Sequence, residues 1–435
     1  MQIASFTKLV IYLVVAGLAA ATSIAAFTIS TKPSSPVSGK CGLEAREARM
    51  RLSALEQYRG ANKWAGLIPR ATDDERNPRT WNEGFRQFLL KYGMLNHVVY
   101  DVFIKGEGES AKTADGLKGT SRFKNDLNAF TQKGLEFSYV NKDGETKTEY
   151  DFSDEYHIIG NIVSSPRSFF TAEDNWFGFV ALSNDEKELI VVFRGTETTK
   201  EWVENATLQM ERLDGEKPES GLALLWNQQQ LMVHSGFQQL YTQKPAASAE
   251  SPQQTVRRLV EEHKGTLEAV TLVGHSLGGA MCQLAGVDLV HSGVLGNIPV
   301  TAIAWAAPKI GNAALAARVA ALHPRLRVLR ISNPIDIVTQ EPPDWLWSIT
   351  TGGYMHIGTE LTLRNENLHK AGRVKADDGN SPNHNLEQYL HCIDTTRDVA
   401  LMNKVGSVIP DIYCIQHNIS PRWHSQTWPR TIYKP

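Results

Sequence analysis

Six residues, Gly274-His275-Ser276-Leu277-Gly278-Gly279, restrict the folds open to this chain more than any other stretch. The short apolar run Val270–Val273 leads into them, and an apolar pattern with helical spacing starts at Leu277. A serine between glycines at a strand-to-helix junction is a sharp turn that exposes its hydroxyl. A serine hydroxyl is a weak nucleophile and reacts only where a base can reach it. The turn forces strained backbone angles and crowds its flanks, which accounts for Gly274 and Gly278. The first helical turn, from Leu277, offers free N–H groups and a positive dipole end to a developing oxyanion. His275 adjoins the serine and is read as a packing residue, not as the base.

The surrounding pattern sets the fold class. Val256, Leu259, Val260 and His263 mark a helix before the turn. After it come a strand at Val300–Trp305, a helix around Ala313–Ala321 and a strand at Leu326–Ile331. Continuous apolar strands alternating with helices predict a mostly parallel central sheet with helices on both faces. Together with the elbow, this is an α/β-hydrolase fold. Strands begin near Tyr156–Ile162, and Trp176–Leu182 and Glu188–Phe193 flank Ser183-Asn184-Asp185 as an antiparallel hairpin. Phe85, Phe88, Leu89, Tyr92, Leu95 and Val99 recur at helical spacing and predict a helix packed on a core. Gly106–Lys124 reads as an exposed loop. The catalytic domain is assigned to residues 81–435 and a helical extension, with an amphipathic helix at Leu43–Tyr58, to residues 41–80.

Residues 1–40 differ in kind. No charge appears between Lys8 and Lys32, Leu9–Phe27 is strongly apolar, and a Pro/Ser/Gly linker follows. The stretch reads as a signal peptide, with small-x-small sites such as Ala19-Ala20-Ala21, or as a single membrane anchor. Its Ala-rich second half favours cleavage. Either reading sends the chain to the secretory route or a membrane. There the sequons Asn205-Ala206-Thr207 and Asn418-Ile419-Ser420 become usable. In an oxidising compartment Cys392 and Cys414 are the favoured bridge, with Cys282 a buried free thiol. No CxxC or Cys/His cluster includes Cys41 or the others, so no metal site is expected, and the chemistry calls for no cofactor. A net charge of −2 over 435 residues gives no electrostatic reason for a nucleic-acid partner.

The remaining site residues follow from the mechanism. Phe193-Arg194-Gly195-Thr196 closes a strand and brings the Thr196 N–H forward as a second oxyanion donor. A serine nucleophile needs a histidine base and a carboxylate that orients it, in the chain order serine, acid, histidine. Asp336, on the loop after the strand Leu326–Ile331, is the acid candidate ahead of Asp344. The downstream histidines are His356, His369, His384, His391 and His417. His384, where a loop enters a helix, is favoured over His391, which shares its helix face.

Val192-Phe193-Arg194-Gly195-Thr196, Trp202, His234-Ser235-Gly236-Phe237 and the elbow occur in an order that resembles the class 3 lipases. The match is nearer the plant phospholipase A1 branch. It includes Arg258-Leu259-Val260-Glu261-Glu262, Pro308-Lys309-Ile310-Gly311-Asn312, Gly353-Tyr354 and Gly358-Thr359-Glu360-Leu361. His384-Asn385-Leu386-Glu387 and Arg397-Asp398-Val399-Ala400-Leu401 complete it, from about Trp64 to Tyr413. The resemblance implies a Ser276-Asp336-His384 triad and a lid segment carrying Trp202. It also implies a lipid substrate met at a membrane or lipid-droplet interface. The chain departs from the family at Ala306-Ala307, where Gly-Ser is usual, and at Thr339, where proline is usual. Three readings follow: a phospholipase A1 that releases the sn-1 acid, an acylglycerol or galactolipid lipase, and a non-catalytic lipase-like signalling protein.

Overall fold

The computed structural model of the chain describes residues 83–102, 127–140, 146–165, 174–195, 209–214, 230–334, 336–343 and 352–363, with His384, Leu386, Tyr389, Leu390 and Ile393. Helix α1 is Glu83–Val102 and α2 Leu127–Lys133. Strands β1 (Glu136–Val140) and β2 (Thr146–Asp151) form a two-stranded antiparallel sheet. Then come β3 (Tyr156–Ser164), β4 (Asn175–Ser183), β5 (Glu188–Phe193), β6 (Met210–Arg212) and β7 (Met232–His234). Helices α3 (Ser235–Thr242) and α4 (Pro252–His263) precede β8 (Ala269–His275). Helix α5 (Leu277–His291), β9 (Val300–Trp305), β10 (Gly311–Asn312), α6 (Ala313–Ala321) and β11 (Leu326–Ser332) follow. The last strands described are β12 (Tyr354–Met355) and β13 (Thr359–Thr362).

The central sheet has seven strands in the order β13-β11-β9-β8-β5-β4-β3. From β13 to β5 all neighbours are parallel; β4 and β3 join antiparallel at one edge. This is the mostly parallel sheet expected, and its helix-covered faces follow from strict alternation along the strands. Leu189, Val191 and Phe193 of β5 pack with Phe237, Val256, Ala280 and Met281 of α3, α4 and α5. Ile190 and Val192, one residue out of phase, pack with Leu89 and Tyr92 of α1 and with Leu386, Tyr389 and Leu390. Each fully buried side chain of this kind contributes about 1.5–3 kcal/mol. The sheet therefore has two cores, and its strands are apolar on both sides. Helix α4 starts where the sequence allows it, with a Ser251–Gln254 capping box and Pro252 in the first turn.

Strands run longer than their apolar runs suggest: β8 extends through His275, β3 to Ser164, and β4 over Asn175–Ser183. A second sheet, β12-β10-β7-β6, is built from strands of two or three residues, too short to show an alternating pattern. No helix among the described residues is long and apolar enough to cross a membrane. Leu9–Phe27, the Leu43–Tyr58 helix, the Gly106–Lys124 loop, both sequons, Cys41, Cys392 and Cys414 lie outside the described residues. Cys282 is a buried free thiol.

One buried polar group holds the lower part of the sheet. The Glu188 carboxyl, 1% exposed at the start of β5, accepts hydrogen bonds from Tyr92 at 2.7 Å, from Tyr156 at 2.9 Å and from the Thr271 hydroxyl. A carboxyl so deep is tolerable only because these donors replace water. Glu188→Ala removes the acceptor shared by three buried hydroxyls. It is expected to destabilise the fold by about 3 kcal/mol, read as a lower urea midpoint. An unchanged midpoint would show that the cluster contributes nothing net.

Candidate active site

The turn at Ser276 is sharp because three backbone segments converge there. Ser276 has φ 58° and ψ −125°, a conformation that costs an L-residue about 1–3 kcal/mol. The strain sits on the serine itself. Gly274 and Gly278 answer a different need, since a Cβ on Gly274 would fall 1.9 Å from the Gly278 carbonyl oxygen. One on Gly278 would fall 2.3 Å from the Phe193 carbonyl oxygen. The end of β8, the start of α5 and the end of β5 thus pass where no side chain fits. The Ser276 N–H donates to the Trp305 carbonyl at 2.9 Å, fastening the turn to β9 as well.

Three sequence candidates meet here. Ser276 Oγ lies 2.7 Å from His384 Nε2, and His384 Nδ1 lies 2.8 Å from Asp336 Oδ2. All three are buried, with Asp336 at 0% exposure. Asp336 Oδ2 also accepts from the Tyr389 hydroxyl at 2.7 Å, and Oδ1 accepts from the Val338 N–H at 3.0 Å. Both carboxyl oxygens are therefore acceptors, which puts the His384 proton on Nδ1. Nε2 is left with its lone pair facing the serine, the arrangement a general base requires. Leu277 begins α5, so its N–H is among the helix's first, which have no intrahelical partner. Thr196, Trp202, Asp344, His369, His391 and His417 lie outside the described residues.

The loop carrying Asp336 is held from several sides. Asp336 caps a short 3-10 helix, Ile337–Gln340. The Thr339 hydroxyl donates back to the Asp336 carbonyl at 2.8 Å, so this departure from proline closes the turn by hydrogen bonding. Lys309 Nζ donates to the carbonyls of Gln340 and of Pro342, the latter at 3.0 Å. His356 Nε2 donates to the Thr339 carbonyl at 2.8 Å. Ala306 takes φ 50°, a left-handed backbone natural to glycine, which explains why glycine suits this position in the family.

The structure gives His275 and two tyrosines polar contacts at the site. His275 is not merely packing: its Nδ1 is 2.6 Å from the Tyr100 hydroxyl and its Nε2 is 2.6 Å from the His384 carbonyl oxygen. Tyr389 escaped notice, although its place five residues beyond His384 was an available signal. Tyr100 is on α1, and no local pattern connects it with the elbow.

The lipase (class 3) family model matches residues 190–345, from β5 through the elbow and Asp336. Over that stretch the chain is similar to the class 3 lipases. It is accordingly a carboxylic ester hydrolase. The chain is 29% identical to phospholipase A1-Igamma2, chloroplastic, of Arabidopsis thaliana, over 84% of this chain and 72% of that protein. To phospholipase A1-II 4 of Oryza sativa subsp. japonica it is 26% identical, over 85% of this chain and 90% of that one. Galactolipase DONGLE, chloroplastic, of Arabidopsis thaliana is 26% identical over 78% of this chain and 70% of its own length. His384 lies beyond the stretch that the family model matches.

Burial, then the nearby Arg330 charge, pushes His356 down to about 3. The unfolded chain binds a proton on that ring near its ordinary value of about 6.5 and the folded chain does not. Stability therefore falls as pH drops below about 6.5. His356→Gln, which keeps a donor for Thr339, is expected to flatten the decline of the urea midpoint between about pH 7 and 5. An equally steep decline would remove His356 from the account. Tyr389→Phe, which deprives Asp336 of one donor, is expected to lower kcat on a nitrophenyl ester about tenfold with KM little changed. Unaltered kcat would make that hydrogen bond dispensable.

Proposed function

We propose that this lipase hydrolyses lipid esters through a Ser276-His384-Asp336 triad and is a phospholipase A1 that releases the sn-1 fatty acid. The observation that carries the reading is the unbroken line from Ser276 Oγ to His384 at 2.7 Å and on to Asp336 at 2.8 Å. Ser276 Oγ attacks the ester carbonyl carbon as its proton passes to His384 Nε2. The resulting oxyanion is stabilised by the N–H groups of Leu277 and Thr196, each worth about 10²–10³ in rate. Collapse breaks the bond to the glycerol oxygen, which takes the proton from His384 and leaves as the lysolipid alcohol. Water, deprotonated by His384, then attacks the acyl-enzyme and frees the acid and Ser276. Asp336 holds the ring in the required tautomer and stabilises the imidazolium.

The phospholipid preference draws support from relatives named as phospholipases A1. The galactolipase relative makes galactolipid the second candidate. The family resemblance assigns Trp202 to a lid segment, and an apolar lid suits a substrate that lies at an interface. The apolar stretch Leu9–Phe27 fits delivery to the secretory route or a membrane.

The test is hydrolysis of a phosphatidylcholine with different acyl chains at sn-1 and sn-2 by the full chain and by Ser276→Ala. Preferential release of the sn-1 acid is expected, with the variant reduced by about 10⁴-fold or more. Turnover of galactolipid or triolein alone would keep the triad and move the substrate. A fully active Ser276→Ala protein would overturn the mechanism.

A further inference from the structure

The base of the triad is held in place by the nucleophile's own neighbour in sequence. His384 takes its place in the site through its side chain, but its backbone is anchored separately, by His275. The His275 ring is 4% exposed, and both its nitrogens have partners. A carbonyl oxygen can only accept, so the 2.6 Å contact from His275 Nε2 to the His384 carbonyl fixes a proton on Nε2. Burial, reinforced by repulsion from His384, holds the His275 pKa well below its ordinary value, and the ring is neutral. A neutral ring protonated at Nε2 has a lone pair at Nδ1, where the Tyr100 hydroxyl donates at 2.6 Å. The chain of donors is thus directional: Tyr100 to His275, and His275 to the backbone of His384.

Ring geometry agrees. The His275 and His384 rings lie with centroids 4.8 Å apart, and Tyr100 meets His275 edge-on at 5.6 Å. The approach of Tyr100 also accounts for glycine at 195, since a Cβ there would fall 2.4 Å from the Tyr100 hydroxyl.

We propose that His275 is a positioning residue that registers His384 to Ser276, and that Tyr100 selects its working tautomer. This rests on the triad reading above. Because His275 is bonded directly to Ser276, nucleophile and base share one rigid reference, the end of β8. Tyr389 performs the matching task on the acid, donating to Asp336 from the same segment that carries His384. Loss of the His275 anchor lets the imidazole shift relative to Oγ, and a displacement of about 1 Å is enough to cost on the order of 10²-fold in rate.

The experiment uses the full chain with p-nitrophenyl butyrate and a fluorophosphonate that labels the serine. The variants are His275→Leu, His275→Gln, Tyr100→Phe, the Tyr100→Phe/His275→Gln pair and Ser276→Ala. His275→Leu should lower kcat and the phosphonylation rate constant together by about 10- to 100-fold, with KM within about twofold and full labelling at the end point. His275→Gln places an amide donor where Nε2 was and should recover about tenfold of that loss. Tyr100→Phe should slow the wild type by a few-fold, about 3 to 10, yet change nothing in the His275→Gln background, which needs no tautomer choice.

The proposal is overturned by a His275→Leu enzyme with wild-type kcat, by equal losses in the leucine and glutamine variants, or by a rate loss matched by lost labelling. If His275→Leu does not fold, the Tyr100→Phe double-mutant cycle decides alone, and additivity there rejects the relay. Activity retained by Ser276→Ala would instead strike the triad reading, whereas a dead Ser276→Ala beside an unaffected His275→Leu would reject only the positioning role.

Discussion

The site depends first on an absence of side chains. Where β8 ends and α5 begins, Gly274 and Gly278 allow two backbones to pass within a distance no Cβ permits, while Gly278 lies as close to the end of β5. Parallel pairing of β5 with β8, and of β8 with β9, fixes all three strand ends at one level. Under that compression Ser276 adopts its positive φ and turns its hydroxyl toward His384. The sheet's large apolar interior is what supplies the energy to hold such a conformation.

Around this point the protein invests polar side chains in backbone carbonyls. Lys309, His356 and the Thr339 hydroxyl each donate to a carbonyl of the loop that carries Asp336 or of residues just beyond it. His275 does the same for His384. These segments lie outside regular ladders, so their backbone acceptors have to be met by side chains. Each such bond removes a direction in which an active-site group could drift. Asp336, His384 and Ser276 are ordered as much through their main chains as through their own side-chain contacts.

Much of this was visible in the sequence, for a reason specific to each part. The elbow and the β–α alternation after it are local patterns, and Ala313–Ala321 emerged as the helix expected. The chain order serine, acid, histidine narrowed Asp336 and His384 to a short choice. What escaped were features defined only by contacts between distant segments. Glu188 reads as the ordinary polar start of a strand until Tyr92, Tyr156 and Thr271 are seen to surround it. Tyr100 and His275 are 175 positions apart, and neither carries a local mark of the other. The strands of two or three residues in the second sheet are too short for period-two alternation to register.

The two cores of the sheet have a consequence for how this enzyme fails. Ser276 leads into α5, whose Leu277 and Met281 belong to one core, while Leu386, Tyr389 and Leu390, near His384, belong to the other. The Ser276–His384 contact therefore needs both layers seated against the same strands at once. A fluctuation that lifts only the α1 layer would separate His384 from Ser276 while the sheet and α5 remained intact. Catalysis is then the most demanding report of native structure the molecule offers, and under gentle stress it would vanish while spectroscopic signs of the fold persisted.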